Sequence, residues 1–201
     1  PEEALLIAAR SCNFKKVDSL LKAGVDPNFA SQNSYNALGY AAAGGHLGII
    51  DLLLKNGADV NKQARHMKNA LNVVAGTPHV EAAKLLVASG AKIISTWSGN
   101  SILHEAVFWK QPEMLEFILS DLKMDVDTKN DNGATALHFS IWNMWSGNRE
   151  GNKPYLEGMN TLLKHGADPG LKFKINDESQ SALELAKSRG LDEVVALLEG
   201  R

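Results

Sequence analysis

The sequence contains one cysteine, Cys12, in 201 residues, which excludes an internal disulfide and any paired-thiol metal site. That usage fits a reducing compartment, and the expected location is cytoplasmic or nuclear. Long apolar runs are also missing. None approaches the roughly 18 residues that span a bilayer, and Pro1-Glu2-Glu3 lacks the basic-then-apolar order of a signal peptide, so no membrane association is expected. No charge excess exists either: 21 Lys and Arg against 23 Asp and Glu give a net charge of −2, which argues against nucleic acid as a partner. Catalytic signatures are equally scarce. His104-Glu105 has no second histidine at the spacing of a zinc-binding helix, and neither a G-x-S-x-G turn nor a Gly-Lys-Ser/Thr phosphate loop occurs. The expectation is a chain that is not an enzyme, with no cofactor and no metal. Cys12 has no histidine near it in sequence and reads as a partly buried structural thiol. There is no initiator methionine, and apolar residues begin at Leu5, so the chain reads as a monomeric domain of a larger protein.

What the chain does have is internal repetition. Leu5, Leu38, Leu71, Leu103, Leu137 and Leu183 are spaced by 33, 33, 32, 34 and 46 residues, each opening a short helix of small and apolar residues. A second helix follows in each unit, with apolar residues at i, i+3 and i+4, as in Ile50, Leu53 and Leu54 or Leu115, Ile118 and Leu119. The same face is expected from Val17, Leu20 and Leu21 in the first unit and from Val195 and Leu198 in the last. Gly24, Gly57, Gly90 and Gly166 stand where a left-handed residue ends a helix at little cost. The fourth unit has Leu122-Lys123 instead, with one extra residue, which predicts a slightly altered entry angle for its hairpin. The fifth carries about ten extra residues around Trp145–Pro154, an insertion whose loop-closure cost is a few tenths of a kcal/mol.

The unit starts read Asn36-Ala37-Leu38-Gly39, Ser101-Ile102-Leu103-His104 and Thr135-Ala136-Leu137-His138, and the ends read Gly57-Ala58-Asp59-Val60-Asn61 and Gly166-Ala167-Asp168-Pro169. Together with the period, these resemble the ankyrin repeat family over essentially the whole chain. The resemblance implies an all-α repeat solenoid of about six helix-turn-helix units with short β-hairpin loops. The expected layout is one ankyrin repeat domain, residues 1–201, with repeats at 1–33, 34–66, 67–98, 99–132, 133–177 (insert near 145–154) and 178–201. The outer units act as imperfect caps, and the first helix shows Leu6, Ile7 and Ala8 with little polar cover. One helix pair cannot bury its own apolar face, so neighbours must stack. The resemblance also gives His104 and His138 a structural role, hydrogen bonding between repeats. His46 and His79 share another repeated position and read as scaffold. Asp59, Asp125 and Asp168 read as hairpin hydrogen-bond acceptors.

By the same resemblance, function lies at positions that do not repeat, on a concave groove of hairpin tips and exposed first-helix positions. The fifth and sixth residues after each anchor leucine are small or polar in most units but Phe108/Trp109 and Trp142/Asn143 in the fourth and fifth. All four tryptophans, Trp97, Trp109, Trp142 and Trp145, fall in that region, with Phe139 and Glu105 beside them and Tyr40 in the second unit. The expected function is non-catalytic recognition of a protein or peptide segment, anchored by Tyr40, Trp97, Glu105, Phe108, Trp109, Phe139, Trp142, Asn143 and Trp145. Apolar ligand side chains would fill the aromatic pocket, and a basic group would sit near Glu105. Packing of the aromatics on the insert is the competing structural explanation. Two other readings stay open: a targeting or autoinhibitory domain of a larger enzyme, and an aromatic cage for a modified lysine or small ligand. Among the hairpin tips, Gln63–Lys68 is basic and Leu171-Lys172-Phe173-Lys174-Ile175 alternates apolar and basic residues, as either an edge that pairs with a partner strand or a solvated loop.

Overall fold

A computed structural model describes residues 1–31, 34–96, 98–146, 153–175 and 178–200, excluding the side chains of residues 145, 146, 175 and 178. The chain divides into two compact units, Pro1–Trp97 and Ser98–Arg201. The first holds three helix pairs: α1 (Glu2–Arg10) with α2 (Phe14–Lys22), α3 (Ala37–Ala43) with α4 (Leu47–Lys55), and α5 (Ala70–Ala75) with α6 (Val80–Ala88). The second holds α7 (Ile102–Phe108) with α8 (Pro112–Ser120), α9 (Ala136–Ser146) with α10 (Lys153–Lys164), and α11 (Ala182–Ser188) with α12 (Asp192–Glu199). A hairpin of β1 (Lys172–Ile175) and β2 (Glu178–Ser181) precedes α11. No helix among the described residues is long and apolar enough to cross a membrane.

The recurring start tetrapeptide is a helix cap. Asn36 Oδ1 accepts the Gly39 N–H at 2.8 Å, Asn69 and Asn72 form a reciprocal capping box, and Ser181 does the same with Glu184. The small residue and leucine after the cap then face inward: Ala37, Leu38, Ala70, Leu71, Ile102 and Leu103 are all buried. First helices pack on first helices (α1 on α3 on α5, α7 on α9 on α11), and second helices on second helices (α2 on α4 on α6, α8 on α10). Leu53, Leu86, Ile118 and Leu162 are fully enclosed between these rows. Of Leu6, Ile7 and Ala8 only Ile7 is exposed, while Leu6 and Ala8 are buried. In the last helix Val194, not Val195, is the buried partner of Leu198.

The first five second helices close on a left-handed residue. Gly24, Gly57, Gly90 and Gly166 have φ between +83° and +90°, and in the fourth unit Lys123 takes the role at φ +51°. A β-carbon in that region costs on the order of 1 kcal/mol. Lys123→Gly is therefore expected to stabilise the protein by about 0.5–1 kcal/mol, read as a higher urea midpoint with unchanged m-value.

Past the stop, the repeated aspartates make Asx turns: Asp26, Asp59, Asp125 and Asp168 each accept the backbone N–H two residues on, at 2.8–3.0 Å. The next polar residue ties one unit to the next. Asn28 donates to the Gly57 carbonyl at 3.0 Å and accepts from Asp59 N–H at 2.7 Å, and Asn61 repeats both bonds with Gly90 and Lys92. The corresponding residue in the fourth unit is Asp127. Its carboxylate accepts from Asp168 N–H at 3.2 Å but, unlike an asparagine side chain, has no N–H to donate, and burial raises its carboxyl pKa. Asp127→Asn restores the missing donor and removes a desolvated charge. It is expected to raise stability by about 1 kcal/mol, measured by denaturant unfolding at pH 7.

Two local expectations change. Cys12 is exposed, because it forms the α1–α2 turn with φ +57° at the surface. The Leu171–Ile175 run holds a strand and is not a solvated loop. Its strand pairs antiparallel with β2 of the same chain, Phe173 opposite Gln180 and Lys174 opposite Ser179.

Candidate functional site

In the Ser98–Arg201 unit, two buried histidines set the geometry of an aromatic cleft. His104 Nδ1 accepts the Ser101 N–H at 3.2 Å, so Nε2 carries the proton and donates to the Ala134 carbonyl at 2.9 Å. His138 repeats the arrangement, with Nδ1 accepting from Thr135 N–H at 3.2 Å and Nε2 donating to the Leu171 carbonyl at 3.0 Å. Burial lowers both pKa values, that of His138 to about 4. Both rings are therefore neutral at pH 7, and they bond one unit to the next as the resemblance implied.

Each bond fixes the start of a loop that lines the cleft. The His104 bond holds Ala134, at the end of a tight turn in which Asn130 Oδ1 accepts the N–H groups of Asn132 and Ala134. The His138 bond holds Leu171, directly before β1, and its ring packs on Phe173 with centroids 4.4 Å apart. Phe139 stands edge-on to His104 at 5.1 Å. The resulting cavity, about 470 Å³, is lined by Phe108 from α7, by Phe139, Trp142 and Asn143 from α9, by Asn130, Asn132 and Ala134 of the turn, and by Phe173 and Lys174 from β1. That volume lies within the roughly 300–1,000 Å³ typical of ligand clefts.

The expected anchors divide accordingly. Phe108 is 45% exposed, Trp109 54% and Trp142 40%, while Phe139 and Asn143 are half-buried. Phe108, Phe139, Trp142 and Asn143 converge on the cavity. Trp109 caps α7 and stacks edge-on to Phe108 at 5.1 Å, outside the lining. The Arg189 guanidinium covers one Trp142 face at 4.8 Å. Glu105 is only 8% exposed and is not part of the lining, so the basic ligand group expected near it meets no accessible carboxylate there. Trp97 lies outside the described residues. Trp145 lies in the last turn of α9, with its side chain outside the description.

Tyr40 belongs to the other unit. It is half-buried, with Tyr35 edge-on at 5.7 Å and the Arg10 guanidinium 5.9 Å from its ring, in a shallow cleft that Arg65 also lines. Sequence reasoning missed Phe173 and Lys174 as cleft residues. Their one signal was the alternating pattern of residues 171–175, which marked a strand but not the face it would show.

A family model of ankyrin repeats (three copies) matches residues 1–64. No curated protein matches the chain. Among solved structures, that of EF0377, an ankyrin repeat protein, is similar with a TM-score of 0.78 and 25% sequence identity, covering 98% of this chain and 97% of that one. With helix caps, stops and inter-unit bonds recurring at the same positions in successive units, the chain has the ankyrin repeat fold, and its first 64 residues match the family's own model.

Proposed function

We propose that the chain binds a protein or peptide segment without catalysis, and that the segment docks in the aromatic cleft of the Ser98–Arg201 unit. Ankyrin repeats generally mediate protein–protein interactions, and theirs is generally a non-catalytic fold. One observation carries the assignment of the site: Phe108 and Trp142 face solvent at a cavity, at a position that is small or polar in the other units. Exposed aromatics clustered beside a cleft have the composition of binding hot spots. The Phe173 ring and the neutral His138 beneath it supply a rigid apolar floor, which limits the ordering cost of binding. A cage for a methylated lysine is disfavoured, because among the described residues the only charged side chain lining the cavity is the cation Lys174 and a second cation, Arg189, covers Trp142. The test compares interacting proteins recovered with the native chain and with Trp142→Ala. Partners lost from the variant, with its circular dichroism unchanged, support the site; an identical partner set rejects it.

A further inference from the structure

We infer that the segment bound in this cleft is acidic: an apolar or aromatic side chain seated on Phe108, Phe139, Trp142 and Phe173, with a carboxylate next to it in the chain reaching Lys174. The inference rests on the docking site proposed above and adds the chemistry of its occupant. Two cations stand at the cavity: Lys174 lines it and is exposed, and the Arg189 guanidinium lies 4.8 Å from the Trp142 ring centroid. No carboxylate lines it among the described residues, and Glu105, on the same helix as Phe108, is buried. The remaining polar lining is amide: Asn130, Asn132 and Asn143. Asn130 spends its oxygen on its own turn and its amide N–H on Asn100, so it sets the shape of the wall and leaves charge recognition to Lys174.

The whole chain has a net charge of −2, so an acidic partner is repelled weakly by the rest of the molecule and attracted here. A carboxylate on Lys174 is a rim contact, which governs selectivity and salt dependence more than total affinity. The aromatic floor supplies the affinity.

The experiment is selection of a phage-displayed random 12-mer peptide library against the full chain, followed by titration of the enriched peptides at 50 and 300 mM salt. The expected consensus has Asp or Glu within three positions of an aromatic or large aliphatic residue, and binding weakens several-fold at the higher salt. Replacing the consensus acid with Gln is expected to weaken binding three- to tenfold, and reselection against Lys174→Glu loses the acidic preference. A consensus that is basic or indifferent to charge, or no enrichment at all, overturns the inference. The two layers separate through Trp142→Ala. Peptides that lose binding to that variant but show no acidic preference leave the docking site standing and reject its charge. Peptides that bind the variant as well as the native chain reject the site itself.

Discussion

Acidification from pH 7 to pH 4 is expected to remove about 3 kcal/mol from the stability of the Ser98–Arg201 unit, through His138. The ordinary pKa of the ring is 6.5, and burial in the fold lowers it to about 4. Above pH 6.5 the ring is neutral folded or unfolded, and its full contribution is present. Between 6.5 and 4 the unfolded chain takes up the proton while the folded one does not, so stability falls with pH across that window and levels off below it. Two and a half units at 1.36 kcal/mol each set the size. His104 is shifted in the same direction by the same cause and adds to the slope. The geometry explains why the folded state resists. Nδ1 of each ring already accepts a backbone N–H, and a proton placed there would face that N–H head-on. Urea midpoints followed by tryptophan fluorescence at half-unit pH steps measure the effect. His138→Gln keeps the reciprocal cap on Thr135, since Gln suits that third helical position, but does not titrate. It is expected to be less stable at pH 7 by about 1–2 kcal/mol and to show a much shallower pH slope, the remainder being His104. An unchanged slope in that variant would show that the acid sensitivity arises elsewhere.

The scaffold was legible in the sequence because each unit repeats the same physical solution. A cap residue, a small residue and leucine, an i, i+3, i+4 face and a glycine stop recur near every 33 residues, and agreement among units reinforces a signal that would be weak in one. The aspartates of the Asx turns and the bridging histidines were legible on the same ground. Two things were not. Glu105 carries a charge and was expected to stand at the groove beside the aromatics, yet it is buried. Register alone does not tell which side of a seven-residue helix its neighbour covers. Phe173 and Lys174 reach the cleft through the pairing of β1 with β2 and through the His138 bond to Leu171. That juxtaposition depends on residues more than 30 positions apart in the longest and least regular unit, where periodicity offers no reference. The two non-repeating features, the aromatic cluster and the hairpin after the insert, turn out to be opposite walls of one cavity.

Trp142→Ala is expected to weaken binding of the docked segment by at least about 30-fold, the loss of a hot spot worth roughly 2 kcal/mol or more. Its effect on folding is expected to be under about 1 kcal/mol, because the ring is 40% exposed and its contact with the Arg189 cation, at 4.8 Å, is worth about 0.5–1 kcal/mol at the surface. Trp109→Ala is the internal control. That side chain is more exposed than Trp142 but stands outside the lining, so a loss of no more than a few-fold is expected. If exposure alone made these residues sticky, the order would be reversed. Phe173→Ala separates floor from rim. Phe173 is 8% exposed and packs on His138, so its removal is expected to cost about 3–5 kcal/mol of stability as well as binding, and to loosen the carbonyl of Leu171 from Nε2. Isothermal titration for affinity and urea unfolding for stability, run on the same three variants, give each substitution a pair of coordinates. Binding without folding loss at Trp142, loss of both at Phe173 and of neither at Trp109 is the pattern a preformed aromatic cleft produces. Equal binding losses at Trp109 and Trp142 would mean instead that the partner spreads over the exposed ends of α7 and α9 without entering the cavity.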